Sequence, residues 1–305
     1  MRIDRLIIIG AGQMGGSLAL ALRQAGFARH IDLIDRSEDA IAGARQRDMA
    51  NAYATSWRGD RLGAGDMLCL AVPLSAYDGV LSDIAPSLDD SAILTDLGST
   101  KALMRRAALP ALSALSALPA GVAIVPGHPL AGTEQAGPEA AAADIFQGTL
   151  TLLTPEADEN ADAIATVEAM WQAAGARCQR MEAARHDAIM ALTSHLPQAA
   201  STALMRTIDG MADQAGAPPD EIYPLSAGAL RDCTRIAGSD PDMWADIFMR
   251  NKGPVVDAIA ALRTELAALE TAIRAGDRAA IHRLLATGQS ARTAYERAMR
   301  TERSR

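Results

Sequence analysis

Cysteine is scarce in this 305-residue chain: Cys69, Cys178 and Cys233 are the only three, far apart and without a CxxC pair. That spacing excludes a disulfide framework and a zinc knuckle, and no metal site is expected. Cys69 lies in an apolar run and reads as a small core residue. No apolar stretch approaches about 18 residues free of charge or breakers, so no membrane-spanning helix is expected. Met1-Arg2-Ile3-Asp4 enters a strand pattern at once, without a basic-then-apolar leader, and the expectation is a soluble cytoplasmic protein. Positive charge is also short, with 29 Lys and Arg against 37 Asp and Glu and a net charge of -8. Such a balance argues against nucleic-acid binding, which gains affinity from a basic surface. It does not disfavour an anionic small substrate, because a few arginines in a pocket can oppose the overall field.

What is present is apolar material: 49% of residues, with a mean hydropathy of +0.04. The length is about twice that of a common domain, so two domains are expected. The first half alternates strand and helix patterns. Leu6–Ile9, Ile31–Ile34, Met67–Val72, Ala92–Thr95, Val122–Val125 and Thr149–Leu153 read as strands. Ser17–Gln24, Ser37–Arg47, Ala76–Ile84 and a segment ending near Ala174 read as helices. Residues 103–120, nearly all alanine, leucine and serine, read as a further helix. Ala176–Met181 is taken as the closing strand. This βαβ rhythm calls for a mostly parallel sheet covered by helices.

From Glu182 onward the strand signals stop. A helical stretch from Ala184 towards Met211 is interrupted by Pro197, which should kink or divide it. Another helix follows Ser239-Asp240-Pro241, capped either by Asp240 or by Ser239 with Asp242 answering. Val255, Val256, Ile259, Leu262, Leu266, Leu269 and Ile273 form a regular apolar helix face ending at Gly276. A last helix runs from Arg278 towards Arg300. The fold class is therefore α/β followed by all-α, with domains at 1–181 and 182–305. The apolar helical half can fold on itself or against a twin chain.

Gly10-Ala11-Gly12-Gln13-Met14-Gly15 fits GxGxxG, directly after a buried strand and opening a helix. The three glycines suit a tight turn, close approach of backbone to a pyrophosphate, and close helix–strand packing. The phosphates would sit on unpaired N–H groups at the helix N-terminus. Asp35, twenty residues beyond Gly15, can accept both ribose hydroxyls and favours NAD. Arg36 beside it can stack on adenine or pair with a 2′-phosphate, so NADP stays open. Val72 and Pro73, where the third strand stops, complete the expected cofactor wall with Gln13 and Met14.

Further clusters follow: Thr95–Lys101 (TDLGSTK), Gly127–Glu134 (GHPLAGTE), Ser194–Gln198 (SHLPQ), Arg231–Ala237 (RDCTRIA) and Ser239–Lys252. In order and wording these resemble the motifs of the prephenate/arogenate dehydrogenase family of tyrosine biosynthesis, over nearly the whole chain to Lys252. The resemblance implies a Rossmann domain followed by a helical dimerisation domain. It also implies a homodimer and the oxidative decarboxylation of a cyclohexadienol with hydride transfer to NAD(P).

By that resemblance His128 is the catalytic base, drawing the proton from the substrate's ring hydroxyl as hydride leaves C4; an imidazole suits this because it titrates near neutrality. Ser99 would lie near the nicotinamide and His128. Arg235 would grip a substrate carboxylate with its planar fork. His195 would line the pocket from the helical domain. Thr133 and Glu134 belong to the pocket-lining motif, and Trp244 corresponds to a tryptophan able to reach the neighbouring subunit's site. Without the resemblance, His128 before a proline reads as a loop histidine, His195 as a packing histidine, and Arg235 as a partner for Asp232 or Asp246.

There is one departure. Many prephenate-using members carry a second histidine three residues after the one matched by His195, where this chain has Gln198. Glutamine donates and accepts but cannot become cationic, which tilts the expectation towards arogenate or dual specificity. The competing readings are a dehydrogenase for 4-amino-4-deoxyprephenate or a small hydroxy acid, and a non-catalytic dinucleotide-sensing dimer. The hydroxy-acid reading needs a catalytic lysine in the helical half, where Lys252 alone stands in unsuitable surroundings.

Overall fold

A computed structural model describes residues 2–104, 118–119, 121–133, 135–212, 214 and 216–303. Most of the expected helix at 103–120 lies outside the described residues, and Ala102–Met104 form a short 3-10 turn. By compactness the chain divides into two units, Met1–Pro254 and Val255–Arg305.

The first unit is built on strands β1 (Ile3–Ile9), β2 (Ala28–Ile34), β3 (Ala52–Ala54), β4 (Asp66–Leu70), β5 (Ile93–Asp96) and β6 (Ala123–Ile124). They form one sheet in the order β3-β2-β1-β4-β5-β6, and every pair is parallel. This is the strand order of a dinucleotide-binding fold, with its topological switch between β1 and β4. Side chains alternate across a strand. Leu6 and Ile8 accordingly enter one core with Leu18, Leu22 and Trp171, while Ile7 and Ile9 enter the other with Leu81 and Ile84. Burial on both faces is why β1 is an unbroken apolar run. Helices α1 (Gln13–Ala25), α2 (Glu38–Gln46) and α4 (Ala161–Ala173) line the first face, and α3 (Tyr77–Ile84) the second.

Three sequence expectations are corrected here. Helix α1 begins at Gln13, one turn before Ser17, with Gly12 as its N-cap. The strand expected at Met67–Val72 ends at Leu70, so Val72 and Pro73 stand beyond the sheet edge. The segments read as continuing the main sheet instead make a second one. β7 (Gly127–Pro129) pairs antiparallel with β8 (Leu150–Leu153), which pairs parallel with β9 (Arg177–Arg180). His128 is therefore a strand residue rather than a loop residue, opposite Leu152.

The helices of the first unit continue with α5 (Ala183–Met190), a π-turn at Ala191–His195, α6 (Leu196–Met211), α7 (Pro219–Ile222), α8 (Gly228–Thr234) and α9 (Pro241–Arg250). Pro197 occupies the first turn of α6, where its missing N–H costs least. The π-turn just before it absorbs the interruption. The capping ambiguity of α9 resolves to Asp240, whose carboxylate accepts from the N–H of Asp242, while Ser239 donates to Ile236 O. Helix α10 (Lys252–Arg274) begins at the end of the first unit and runs into the second, where α11 (Arg278–Arg303) follows it. Gly276 between them has a φ of 63°, which glycine adopts without strain. Among the described residues no helix is long and apolar enough to cross a membrane.

Gly15 packs so tightly that a Cβ there would collide with Gly10 O and come within 2.9 Å of the Ala71 methyl, whereas one on Gly12 would meet nothing within 4 Å. We expect Gly15→Ala to lower the free energy of unfolding by about 3 kcal/mol, and Gly12→Ala by less than about 1 kcal/mol. Urea denaturation of both variants checks the contrast; equal losses would contradict it.

Candidate active site

The glycine loop joins β1 to α1 at the switch point. Gly10, with a φ of 112°, approaches the Ala71 backbone more closely than any side chain allows. Helix α1 follows its N-cap Gly12 without a side-chain cap bond and without an acid in its first turn. Its first N–H groups therefore have no side-chain cap and can receive an anion. Asp35 closes the loop from β2, accepting from Ala11 N at 2.8 Å and Ser37 N at 2.9 Å. These bonds leave the carboxylate further lone pairs on the wall of a cavity of about 550 Å³, where Arg36, Trp57, Val72, Pro73 and Val80 also stand. A largely apolar cleft lined by Asp35 and Asp83, with Asp35 fixed by two backbone N–H groups, next to an uncapped helix start and a glycine whose Cβ position is open, fits a dinucleotide.

The segment after β7 folds over this loop. Gln13 Nε2 donates to Thr133 Oγ1 at 2.5 Å, and Thr133 N donates back to Gln13 Oε1 at 3.1 Å. Gly132, with a φ of 119°, lies where a Cβ would be 3.4 Å from Met14 Sδ. His128 is thereby attached to the nucleotide loop through five residues of chain. Glu134 lies outside the described residues.

Beneath His128 is a buried polar network. Lys101 Nζ, fully buried, donates to Asp96 Oδ2 at 2.5 Å and to Gly127 O at 2.7 Å. Asp96 also accepts from Tyr77 OH, Gly98 N and Gly127 N. Asp187 takes the N–H groups of Lys101 and Ala102 at 2.8 and 2.9 Å. Its Oδ1 also meets His186 Nδ1 at 2.8 Å, and His186 Nε2 meets His128 Nδ1 at 2.9 Å. Asn251 Nδ2 donates to Asp187 O at 2.7 Å and faces His195 Nδ1 at 3.1 Å. An amide N–H can only donate, so His195 accepts at Nδ1 and carries its proton on Nε2.

Burial first, then the Lys101 ammonium and the neighbouring His186 and His195 rings, hold His128 well below the usual histidine range. Burial likewise lowers His195 to about 4, against an opposing pull from Asp187. Both rings are therefore neutral at neutral pH. Asp187 is held below the ordinary aspartate range: burial opposes this, and the His186 and backbone hydrogen bonds outweigh it. Loss of one partner from a buried pair such as Lys101–Asp96 costs about 3–5 kcal/mol, because the other charge stays behind.

The remaining expected residues divide. Trp244 on α9 lies edge to face with His195 of its own chain, ring centroids 6.0 Å apart, and its Nε1 is buried without a partner. Gln198 is buried, and so is Ser201 one turn further along α6; neither Gln198 Oε1 nor Ser201 Oγ has a hydrogen-bond partner. These three polar atoms on α6 and α9 are therefore buried without a hydrogen-bond partner among the described residues. Ser99 is half-buried in the bend after β5. Arg235 is exposed, on the turn that follows α8 and packs against α6.

His186 and Asp187 were not singled out by sequence reasoning, and Asp96, Lys101 and Asn251 stood inside quoted motifs without a role. His186 and Asp187 stand beside Arg185 in α5, a local pattern that carries no signal of a site by itself.

Comparison with known proteins follows the same outline. Residues 18–180 match the nucleotide-binding domain model of prephenate dehydrogenase, and residues 182–287 match its dimerization domain model. A cyclohexadienyl dehydrogenase of Zymomonas mobilis is 34% identical over 272 residues, covering 89% of each chain. The crystal structure of Aquifex aeolicus prephenate dehydrogenase, in complex with hydroxyphenyl propionate and NAD+, superposes with a TM-score of 0.83 at 28% identity, over 97% of this chain and 99% of that one. Synechocystis arogenate dehydrogenase gives a TM-score of 0.77 at 25% identity, over 95% and 99%.

The depressed pKa of His195 has a consequence for stability. Its unfolded value is near 6.5 and its folded value about 4. The unfolded chain therefore binds more protons between those values, and stability is lost as pH falls through that window. The full effect is of order 3 kcal/mol. Chemical denaturation at pH 7 and pH 4.5 should show a smaller fall for His195→Asn than for the parent protein; an equal or larger fall contradicts the assignment.

Proposed function

The chain belongs to the prephenate dehydrogenase family, and on that premise we propose that it oxidatively decarboxylates arogenate, prephenate or both, with hydride transfer to NAD(P)+, in tyrosine biosynthesis. The observation that carries this reading is a neutral histidine, His128, held on the strand whose continuation clasps the glycine loop through Thr133 and Gln13.

Gly10, Gly12 and Gly15, with the start of α1, would receive the pyrophosphate, and Asp35 with Arg36, Val72 and Pro73 the adenosine end. The fixed Asp35 carboxylate favours NAD, while Arg36 offers a partner for a 2′-phosphate. When bound, the cofactor supplies the hydride acceptor. His128, neutral at neutral pH, takes the proton of the ring hydroxyl as the C4–H bond gives up its hydride. Loss of the ring carboxylate as CO2 then returns an electron pair to the ring, and the proton goes back to the oxygen as the phenol forms. Aromatisation drives the step, and the protein's work is positioning. Ser99, on the bend following β5, orients the hydroxyl or the base. His195 presents its Nε2–H to the substrate, and Arg235 takes a carboxylate. Gln198 and Trp244 supply their unpaired polar atoms to the rest of the substrate, and Glu134 adjoins Thr133 on the same motif.

We place the division between the nucleotide-binding and helical parts at 181/182, where β9 has ended at Arg180 and Glu182 caps α5 through the N–H groups of Ala184 and Arg185. The second unit exposes Val256, Leu266, Ile273, Leu285 and Tyr295 on α10 and α11. Apolar area of that kind fits a homodimer through the helical part.

A two-by-two assay of arogenate or prephenate with NAD or NADP, followed by absorbance of the reduced cofactor, tests the proposal. Turnover of at least one cyclohexadienol is expected, with kcat/KM for arogenate at least equal to that for prephenate. Cofactor binding without turnover of either substrate would overturn it in favour of a dinucleotide sensor. Gln198→His should raise kcat/KM for prephenate by about tenfold, the scale of one charge-assisted hydrogen bond; no change would remove Gln198 as the discriminator.

A further inference from the structure

We propose that His186 and Asp187 are positioning residues that fix the proton of His128 on Nδ1, leaving Nε2 as the basic nitrogen. The inference rests on the reading of His128 as the base, and adds how that base is kept in working form.

Hydrogen-bond polarity carries the argument. The Asp187 carboxylate can only accept, and it already takes two backbone N–H groups, from Lys101 and Ala102. His186 Nδ1, 2.8 Å from Asp187 Oδ1, must therefore be the donor. In a neutral imidazole the second nitrogen then accepts, so His186 Nε2 receives the Nδ1–H of His128 across 2.9 Å. His128 Nε2 makes no hydrogen bond among the described residues and keeps its lone pair. His186 is fully buried and Asp187 nearly so, so solvent does not compete for the bonds His186 makes. The 64° angle between the two rings suits an edge-on N–H to nitrogen contact rather than stacking.

Asp187 acts in the opposite sense on His195. Its carbonyl engages Asn251, whose amide donates to His195 Nδ1. One residue thus leaves His128 with an outward acceptor and His195 with an outward donor. When His128 gains the substrate proton, its Nδ1–H faces a chain ending in a carboxylate, which stabilises the imidazolium during the step. A residue that holds an imidazole in the right tautomer is worth roughly 10²- to 10⁴-fold in rate where it has been removed in other histidine-dependent enzymes.

The test combines nitrogen-15 NMR of the histidine rings with kinetics. In the parent protein, without substrate, the His128 proton should reside on Nδ1; residence on Nε2 overturns the inference whatever the activity. His186→Leu removes the acceptor, and the proton should then move to Nε2. In that variant kcat should fall at least 100-fold with KM changed less than about threefold, and His186→Gln should recover part of the loss. A His186→Leu enzyme with parental kcat also overturns it. Parent protein with the Nδ1 proton but no turnover of either cyclohexadienol would instead reject the proposed function and leave the relay standing.

Discussion

A buried ammonium must be matched where it lies, and the Lys101–Asp96 pair sets the terms for everything around it. Asp96 ends β5 at the carboxyl edge of the sheet, and Lys101 turns back from the next bend to meet it. The pair then reaches both backbone groups of Gly127, the first residue of β7. The small second sheet is in this way pinned to the main one at the residue before His128. Because neither charge can be left alone in the interior, the position of His128 is as firmly set as the pair itself. The same ammonium disfavours a second positive charge nearby, and so helps keep His128 neutral.

Much of this was legible in the sequence, and the reasons differ by residue. The glycine loop was readable because each glycine answers a local steric demand, as Gly10 and Gly15 do here. The cap of α9 was narrowed to two readings by residue type alone, and only the hydrogen bond of Asp240 chose between them. Strand β3 went unread because three half-buried residues carry no period of their own. Strand β7 went unread because Pro129 ends it and because its partner lies far away in the chain. Thr149–Leu153 and Ala176–Met181 read as strands from their own residues, but nothing local says which sheet a strand joins.

The site shows the same division. His128, His195 and Gln198 stand in motifs whose wording identifies them. Their proton states do not, since these depend on contacts 58 residues apart in one case and 86 in another. His186 and Asp187 occupy a helix between motifs, where a histidine and an acid are unremarkable neighbours. Only folding puts that acid under the backbone of Lys101 and that ring behind His128. The complementary pair that results, one histidine ready to accept and one ready to donate, is a property of the buried network rather than of any single motif.

Central to the account is a base that is neutral in the free enzyme because burial and Lys101 disfavour its charge. The pH dependence of kcat/KM reports free-enzyme ionisations and tests this most directly. The account predicts an acid limb whose apparent pKa lies below 6.5, and which disappears in His128→Gln together with most of the activity. An acid limb at 7 or above that survives in His128→Gln would contradict it.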